Sequence, residues 1–450
     1  MSDPTRPGTG RPLSPADRSI LALETGAVVG HTVKIVELGG RVTAAEVAGR
    51  IRDRLPGAPS LATRLTGWPD APRWTPDPGA DVDTQVTAVA PMDGSDGWDE
   101  HRLRSQVAEL FVRRLDRSRP LWHVAVAPLS GGRTALIWRL HHALADGMTA
   151  VRWAAHLFWD DPPPAPESAS GTASWTDRPV PEAAGSPRPP RRTDTVGHWA
   201  GTAAATGASL VGFLAREVPV GGAPSPFDGP VSANRGVGWV RVPLATLKAA
   251  AHRIPGATVN DALLAAVAGG LRYWLTGHGR AATDLPVRVP VSLHPEPGSG
   301  CVDAGNADSF FTIALPVHLS DPAERLRIVA GQTSVRKHAQ DARREDAMTR
   351  SLERFDATLG RFVDGWRTDP RRFALAVSNI PGPRQPVTVL GHPVTGLTTL
   401  AEIGERHGLR VAAISCHDAL TIGFCADPVV VPEVQVLADA TAAALREMLA

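Results

Sequence analysis

The chain is poor in cysteine, nearly without tyrosine and almost without net charge, and each scarcity removes a class of function. Its 450 residues hold three cysteines, Cys301, Cys416 and Cys425, and no CxxC pair. Three thiols cannot all pair within one chain, and a zinc ribbon or dithiol redox site needs closer spacing, so the set fits a reducing compartment. Forty-seven basic residues against 46 acidic ones leave a formal charge of +1. No overall field therefore draws the chain to nucleic acid or to an anionic membrane. The sequence also lacks a GxSxG nucleophile elbow, a GxxxxGK[ST] phosphate loop and an HExxH zinc helix, each of which carries a specific chemistry. Met1–Pro15 is rich in Pro, Gly and polar residues and has no apolar h-region, so it reads as a cytoplasmic start. Between Asp194 and Arg216 there is no charged residue, but Gly197, Gly201, Gly207, Gly212, His198 and several Ser and Thr interrupt it. A membrane span needs about 20 predominantly apolar residues. The stretch reads as a weakly apolar connecting helix, with contact at a lipid surface as the minor alternative.

What is present is a mixed α/β pattern. At this length, with 43% hydrophobic residues, the chain has enough apolar surface for more than one domain. The spacing predicts a short helix within 14–29, strands at 32–38 and 82–89, helices at 44–55 and 100–116, and strands at 122–127 and 135–140. From Pro162 to Arg192 the composition turns to Pro, Ser, Gly and Arg, which cannot bury enough surface to offset ordering entropy. The predicted organisation is a first domain over 1–161, a linker with one weakly apolar helix over 162–230, and a second domain over 231–450. In the second half the pattern gives helices at 244–252, 262–275 and 434–449, and a long charged helical region at 322–355. Strands are expected at 238–242, 287–291, 310–315, 374–377, 387–390, 408–415 and 419–425, with a turn at Ser378-Asn-Ile-Pro-Gly-Pro383.

The most informative stretch is His141-His142-Ala-Leu-Ala-Asp146-Gly147. A strand precedes it and a helical pattern, Thr149 to Trp159, follows. Side chains alternate across a strand, so His142 is expected to share a face with Leu136, Trp138 and Leu140. Adjacent histidines diverge in a strand and chelate poorly, so no metal is expected. A neutral imidazole is a proton acceptor near pH 7 and suits general-base work. An Asp at the turn into a helix can brace the loop, and Gly147 permits a tight backbone there.

This heptapeptide is the HHxxxDG signature, and the chain resembles the bacterial wax ester synthase/diacylglycerol acyltransferase family of the coenzyme-A-dependent acyltransferase superfamily. Leu13-Ser-Pro-Ala-Asp17, Pro120-Leu-Trp122, Gly229-Pro-Val-Ser-Ala-Asn-Arg235, Gly256-Ala-Thr-Val-Asn260-Asp261 and Ser378-Asn-Ile-Pro-Gly-Pro383 match further family segments in order. It departs from the pattern at Gly305-Asn-Ala-Asp-Ser309, at Ser415-Cys-His-Asp418, and in the length of its Pro-rich linker.

The resemblance implies two chloramphenicol-acetyltransferase-like α/β domains with the active-site channel between them. It implies acyl transfer from an acyl-CoA thioester to an alcohol, a fatty alcohol or diacylglycerol. His142 would be the general base, with no acyl-enzyme, no metal and no bound cofactor. His141 would support the loop and Asp146 would be structural. Asn260, at a helix start, is the first candidate for an oxyanion donor, and Ser378 and Asn379 are candidates for substrate binding. Pro120-Leu121-Trp122 reads as packing. Arginines between Arg325 and Arg354 are candidates for coenzyme A phosphates, though most must form a solvated face. The implied partners are the acyl-CoA donor and the alcohol acceptor, with peripheral contact at a membrane or lipid droplet and no nucleic acid. The alternatives are the same chemistry on a natural-product hydroxyl or amine with a carrier-bound donor, and a non-catalytic lipid-binding relative.

Overall fold

Local capping sets the first elements. Ser14 and Asp17 exchange side-chain-to-backbone hydrogen bonds of 3.1 and 3.3 Å and start the helix Pro15–Ala22 (α1). The short strand Arg11–Pro12 (β1) precedes it. A computed structural model describes residues 10–24, 26–91, 94–161, 225–292, 308–338 and 372–450. All of them belong to one compact unit. The helix α1 ends well before residue 29, and an extended segment leads to His31–Leu38 (β2), buried at every position.

A second capping box, Thr43 with Glu46, opens Ala44–Arg54 (α2). Thr63–Thr66 (β3) and Arg73–Pro76 (β4) join β1 in a small three-stranded sheet. The strand expected over 82–89 is instead a helical turn, Val82–Gln85 (α3), followed by Val86–Ala88 (β5). Asp81 caps that turn by accepting from the Asp83 amide at 3.0 Å, which overrides the alternation of the sequence. Glu100–Phe111 (α4), Trp122–Leu129 (β6), Arg133–His141 (β7) and Gly147–Leu157 (α5) complete the first half.

The second half contributes Gly236–Pro243 (β8), Leu244–His252 (α6), Val259–Gly277 (α7), Leu285–Ser292 (β9), Asp308–Leu315 (β10) and Pro322–His338 (α8). It continues with Leu375–Ile380 (β11), Thr388–Val389 (β12), His392–Ala401 (β13), Leu409–Cys416 (β14), Ala419–Ala426 (β15) and Val434–Glu447 (α9). The Pro-rich segment 162–192, the uncharged stretch before Arg216, residues 305–307 of the Gly305–Ser309 segment and the end of the long charged region lie outside the described residues. Phe227, near the start of the described second half, is fully buried in the second core.

Two six-stranded sheets carry the fold, in the orders β12-β13-β2-β7-β6-β5 and β10-β9-β11-β14-β15-β8. The strand β13 is the element the sequence hid, because Pro393 and Gly396 break its pattern and Thr398 and Thr399 are buried in it. It pairs antiparallel with β2, with a register shift between Val394 and Gly396, and it packs against β14 and β15 of the other sheet. The contact is at backbone distance, since a Cβ placed on Gly423 would stand 2.3 Å from the Thr399 carbonyl oxygen. The helices α7 and α9 cover the other face of the second sheet, against Val411, Ala413, Ile422 and Phe424. Among the described residues, no helix is long and apolar enough to cross a membrane.

Because a backbone oxygen, not a flexible side-chain end, meets Gly423, Gly423→Ala must push the sheets apart. The expected cost is about 1–3 kcal/mol, read as a lower urea midpoint with the slope of the transition unchanged.

Candidate active site

The strand β7 ends at His141, but sheet-like pairing carries one residue further. The His141 amide donates to Leu121 O at 3.0 Å and the His142 amide to Gly30 O at 2.9 Å. The turn then closes with the Leu144 amide on His141 O at 3.0 Å. The two rings diverge as alternation requires. Arg139 and His141 face α4, where Arg139 donates to Leu110 O at 3.1 Å. His142 lies among Lys34, Asp146 and Arg410, on the side of the sheet that carries Trp138 and Leu140.

Both nitrogens of His141 are committed. The Ala143 amide can only donate, so the Nδ1 it reaches at 3.1 Å is the acceptor. The ring proton is therefore assigned to Nε2, which donates to Glu24 Oε2 at 3.3 Å. Glu24 also pairs with Arg114 and Arg117. Arg114 in turn donates to Gly26 O at 2.9 Å and Val28 O at 3.0 Å, tying this segment to the chain just after α4. Burial alone would raise the Glu24 carboxyl, but the bonds from His141 and Arg117 outweigh it and hold it at about 2. Gly30 completes the clamp. Its φ of +71° favours glycine, and a Cβ there would stand 2.8 Å from His141 Nε2.

His142 keeps partial exposure. Burial, and then the charge of Arg410, bring its pKa down to about 4, with Asp146 opposing and Lys34 reinforcing. The imidazole is thus neutral throughout the physiological range. Lys34 is buried, and its Nζ donates to Thr399 Oγ1 at 2.6 Å.

Asp146 is the N-cap of α5 and accepts from the Thr149 amide at 2.8 Å. Gly147 has an ordinary φ, so the tight backbone expected of it is not its reason for being glycine. Its Cβ would stand 2.5 Å from Ile380 Cδ1. The residue lets the end of β11 come against the start of α5, which joins the two sheets at the HH loop.

Other expected residues are displaced or reassigned. The helix containing Asn260 is capped by Thr258, whose capping box uses Asp261, so Asn260 sits inside the first turn. That helix packs on the face of the second sheet formed by Val411 and Ala413, whereas Arg410 belongs to the other face by alternation. Asp261 is consumed structurally, since it also accepts from Thr333 Oγ1 at 2.7 Å. Ser378 and Asn379 are in β11 rather than in a turn, paired in register with Ala412 and Ala413. The chain bends only after Ile380, and at Gly382 it passes so close to β14 that a Cβ would meet Ser415 O at 1.9 Å. Arg325 does not face solvent. It is buried, bonds Leu319 O and Ser320 O at 3.0 Å each, and leaves the phosphate set. Trp122 is packing as expected, its indole N–H on Leu61 O at 2.7 Å. A polar cleft of about 520 Å³ lined by residues including Trp98, Arg104, Arg133 and Trp239 does not include His142. Among the described residues, no cluster of His, Cys, Asp and Glu has the form of a metal site.

Glu24, Gly30, Lys34 and Arg410 were not singled out by the sequence. The only local signal was Gly30, just ahead of the apolar run of β2. The other three reach the site through sheet register and loop closure.

Two outcomes follow for the clamp and the cap. The folded pKa of Glu24 is depressed, so its contribution to stability is full above about 4.5 and is lost as pH falls towards 2. Glu24→Ala should cost roughly 2–3 kcal/mol at neutral pH and flatten the loss of stability on the acid side, as measured by urea titration at stepped pH. Asp146→Ala should cost about 1 kcal/mol through the lost cap, while Asp146→Asn, which still caps, should unfold close to wild type.

Comparison with known proteins identifies the family. Residues 13–263 match the wax ester synthase/diacylglycerol acyltransferase catalytic domain, and residues 304–449 match the WS/DGAT C-terminal domain. A probable diacylglycerol O-acyltransferase of Mycobacterium tuberculosis is 28% identical over 375 residues, covering 82% of this chain and 79% of its own. A putative diacylglycerol O-acyltransferase of the same organism is 27% identical over 489 residues, covering 100% of this chain and 92% of its own. The wax ester synthase/diacylglycerol acyltransferase structure from Marinobacter aquaeolei VT8 has a similar fold, with a TM-score of 0.68, 21% identity and coverage of 97% and 98% of the two chains. The first condensation domain of the CDA synthetase follows at a TM-score of 0.62 and 17% identity, covering 98% of this chain and 97% of its own. The catalytic profile alone spans more than half of the sequence, and the chain belongs to the wax ester synthase/diacylglycerol acyltransferase family.

Proposed function

We propose that this O-acyltransferase moves an acyl group from an acyl-CoA thioester to a fatty alcohol or diacylglycerol, with His142 as the general base. The observation that carries the assignment of the base is the division of labour in the His pair. His141 has no nitrogen left for substrate, its two being held by Ala143 and Glu24. His142 is neutral, partly accessible and set where Gly147 meets Ile380 of the other sheet.

The reaction balances without a covalent enzyme intermediate. His142 takes the acceptor hydroxyl proton as the oxygen adds to the thioester carbonyl, whose π pair moves onto oxygen. Collapse re-forms the carbonyl and breaks the C–S bond. The leaving thiolate takes the proton from the imidazolium, and coenzyme A departs as the free thiol. Holding both reactants at one ring supplies a second large contribution through proximity. Asn260 remains the candidate donor to the oxyanion, because an Asn amide in the first turn of a helix adds to the positive helix end. Ser378 and Asn379, on the strand that ends against the HH loop, are candidates for binding substrate. This reading needs no resident metal or cofactor. Delivery of lipid substrates at a membrane or droplet surface accords with the uncharged stretch before Arg216.

The test is a mass-spectrometric screen of hexanoyl-CoA and hexadecanoyl-CoA against hexadecanol and dioctanoylglycerol. Ester product with wild type, and a loss of about 10²–10⁴-fold in His142→Ala at unchanged circular dichroism, is the expected result. Normal turnover by His142→Ala would remove the base assignment. Because the active form of His142 is neutral, the wild-type rate should rise through about pH 4.

A further inference from the structure

The segment 229–235, singled out in the sequence, has no part in the proton transfer, yet its last residue reaches the backbone that holds His142. Arg235 is buried, and its guanidinium serves four acceptors. Its Nε donates to Glu402 Oε1 at 2.8 Å. Its Nη1 donates to Ser232 O at 2.8 Å and Asn234 O at 2.7 Å, and its Nη2 to Ala27 O at 2.6 Å. The other oxygen of Glu402 accepts from the Val29 amide at 3.1 Å. Both side chains are shielded from solvent, at 0% and 6% exposure. One buried ion pair from the second half therefore holds a carbonyl and an amide of the first half, at residues 27 and 29.

Those two residues lie just ahead of Gly30, whose carbonyl accepts from the His142 amide at 2.9 Å. Arg114 takes the Gly26 and Val28 carbonyls of the same stretch. Every residue from 26 to 30 thus gives one backbone group to a named partner. The need for the pair comes from the topology. The strand β13 stops at Ala401, opposite Thr32 of β2, so the residues before β2 have no β13 partner. Buried backbone groups left without partners are unfavourable. Glu402, the first residue after β13, brings a carboxylate to the Val29 amide. A buried carboxylate must itself be paired, and the fork of Arg235 does this while also reaching Ala27.

We infer that Arg235, through its bonds to Glu402 and Ala27, is a positioning residue for acyl transfer. The pair fixes residues 27–29 so that the Gly30 carbonyl holds the backbone of the base in register. The inference rests on the assignment of His142 as base. Displacing a reacting group by about 1 Å can lower a rate roughly 10²-fold, so a clamp that touches no substrate still acts on turnover.

The experiment compares wild type with Arg235→Lys and with the double variant Arg235→Met/Glu402→Leu. In the double variant both charges leave together, so no unpaired ion remains in the interior, but nothing reaches Ala27 or Val29. Arg235→Lys keeps a cation beside Glu402, yet one ammonium cannot replace a fork that serves four acceptors. Turnover is measured with hexadecanoyl-CoA and hexadecanol, and amide hydrogen exchange is followed at His141 and His142 by NMR without substrate. In the double variant kcat should fall about 10–100-fold with KM unchanged. The His142 amide should exchange at least about tenfold faster, while the His141 amide, bonded to Leu121 O, keeps its protection. Arg235→Lys should show the same split at smaller amplitude, and it carries the test alone where the double variant fails to fold. Wild-type kcat in the double variant, or in Arg235→Lys where only that one folds, would overturn the positioning role. Equal loss of protection at His141 and His142 would overturn it too, since general loosening would then explain the rate. Neither result touches the assignment of His142, which falls only if His142→Ala turns over normally, and in that case exchange at the His142 amide still reports the clamp.

Discussion

The hydrogen bond between the His142 amide and the Gly30 carbonyl is the constraint on which the site depends. It extends the pairing of β2 and β7 by one residue beyond the strand, so alternation still governs the two rings. His141 is sent to one side of the sheet and His142 to the other. A shift of that register by one residue would exchange their environments. The imidazole proposed as the base would then face Glu24, Arg114 and Arg117. Gly30 is what makes the register possible, because its left-handed φ and missing Cβ leave room for the ring of His141.

From that bond the electrostatics divide cleanly. On the α4 side, the Glu24 carboxylate, shared with Arg114 and Arg117, accepts from His141 Nε2 while the Ala143 amide donates to Nδ1, so both ring nitrogens are committed. On the other side, desolvation and the cations Arg410 and Lys34 hold His142 neutral. The same residue type, side by side in sequence, is held at both nitrogens in one place and kept neutral, as the proposed base, in the other. Asp146 serves both purposes by capping α5 and by partly offsetting the cations.

The core of this was legible in the sequence because it is local. A strand, two histidines, an Asp that can cap and a helical repeat fall within a few turns of chain, and short-range rules read them. The helical spacing after Thr149 found α5, and the polar opening of that helix found its cap. What was hidden is what arrives from far along the chain. Glu24 is more than one hundred residues from His141, and Arg410 and Thr399 come from the other half. The strand β13 was missed for a related reason. Its face is made of threonines buried between two sheets, and periodicity scores apolar residues, not burial. Gly147 was read as a turn former because Asp-Gly is turn chemistry, whereas its neighbour across the junction, Ile380, sets the requirement.

The position of β13 has a consequence for how the chain can be divided. It is drawn from the second half, yet it forms the pairing partner of β2 and supplies Thr399 to Lys34. A fragment ending near residue 161 would leave the β2 edge without its neighbour, presenting a row of bare amides and carbonyls to solvent. Such an edge is a template for self-association. Coexpressed halves would have to exchange this strand before either was soluble, which makes the catalytic loop a property of the undivided polypeptide.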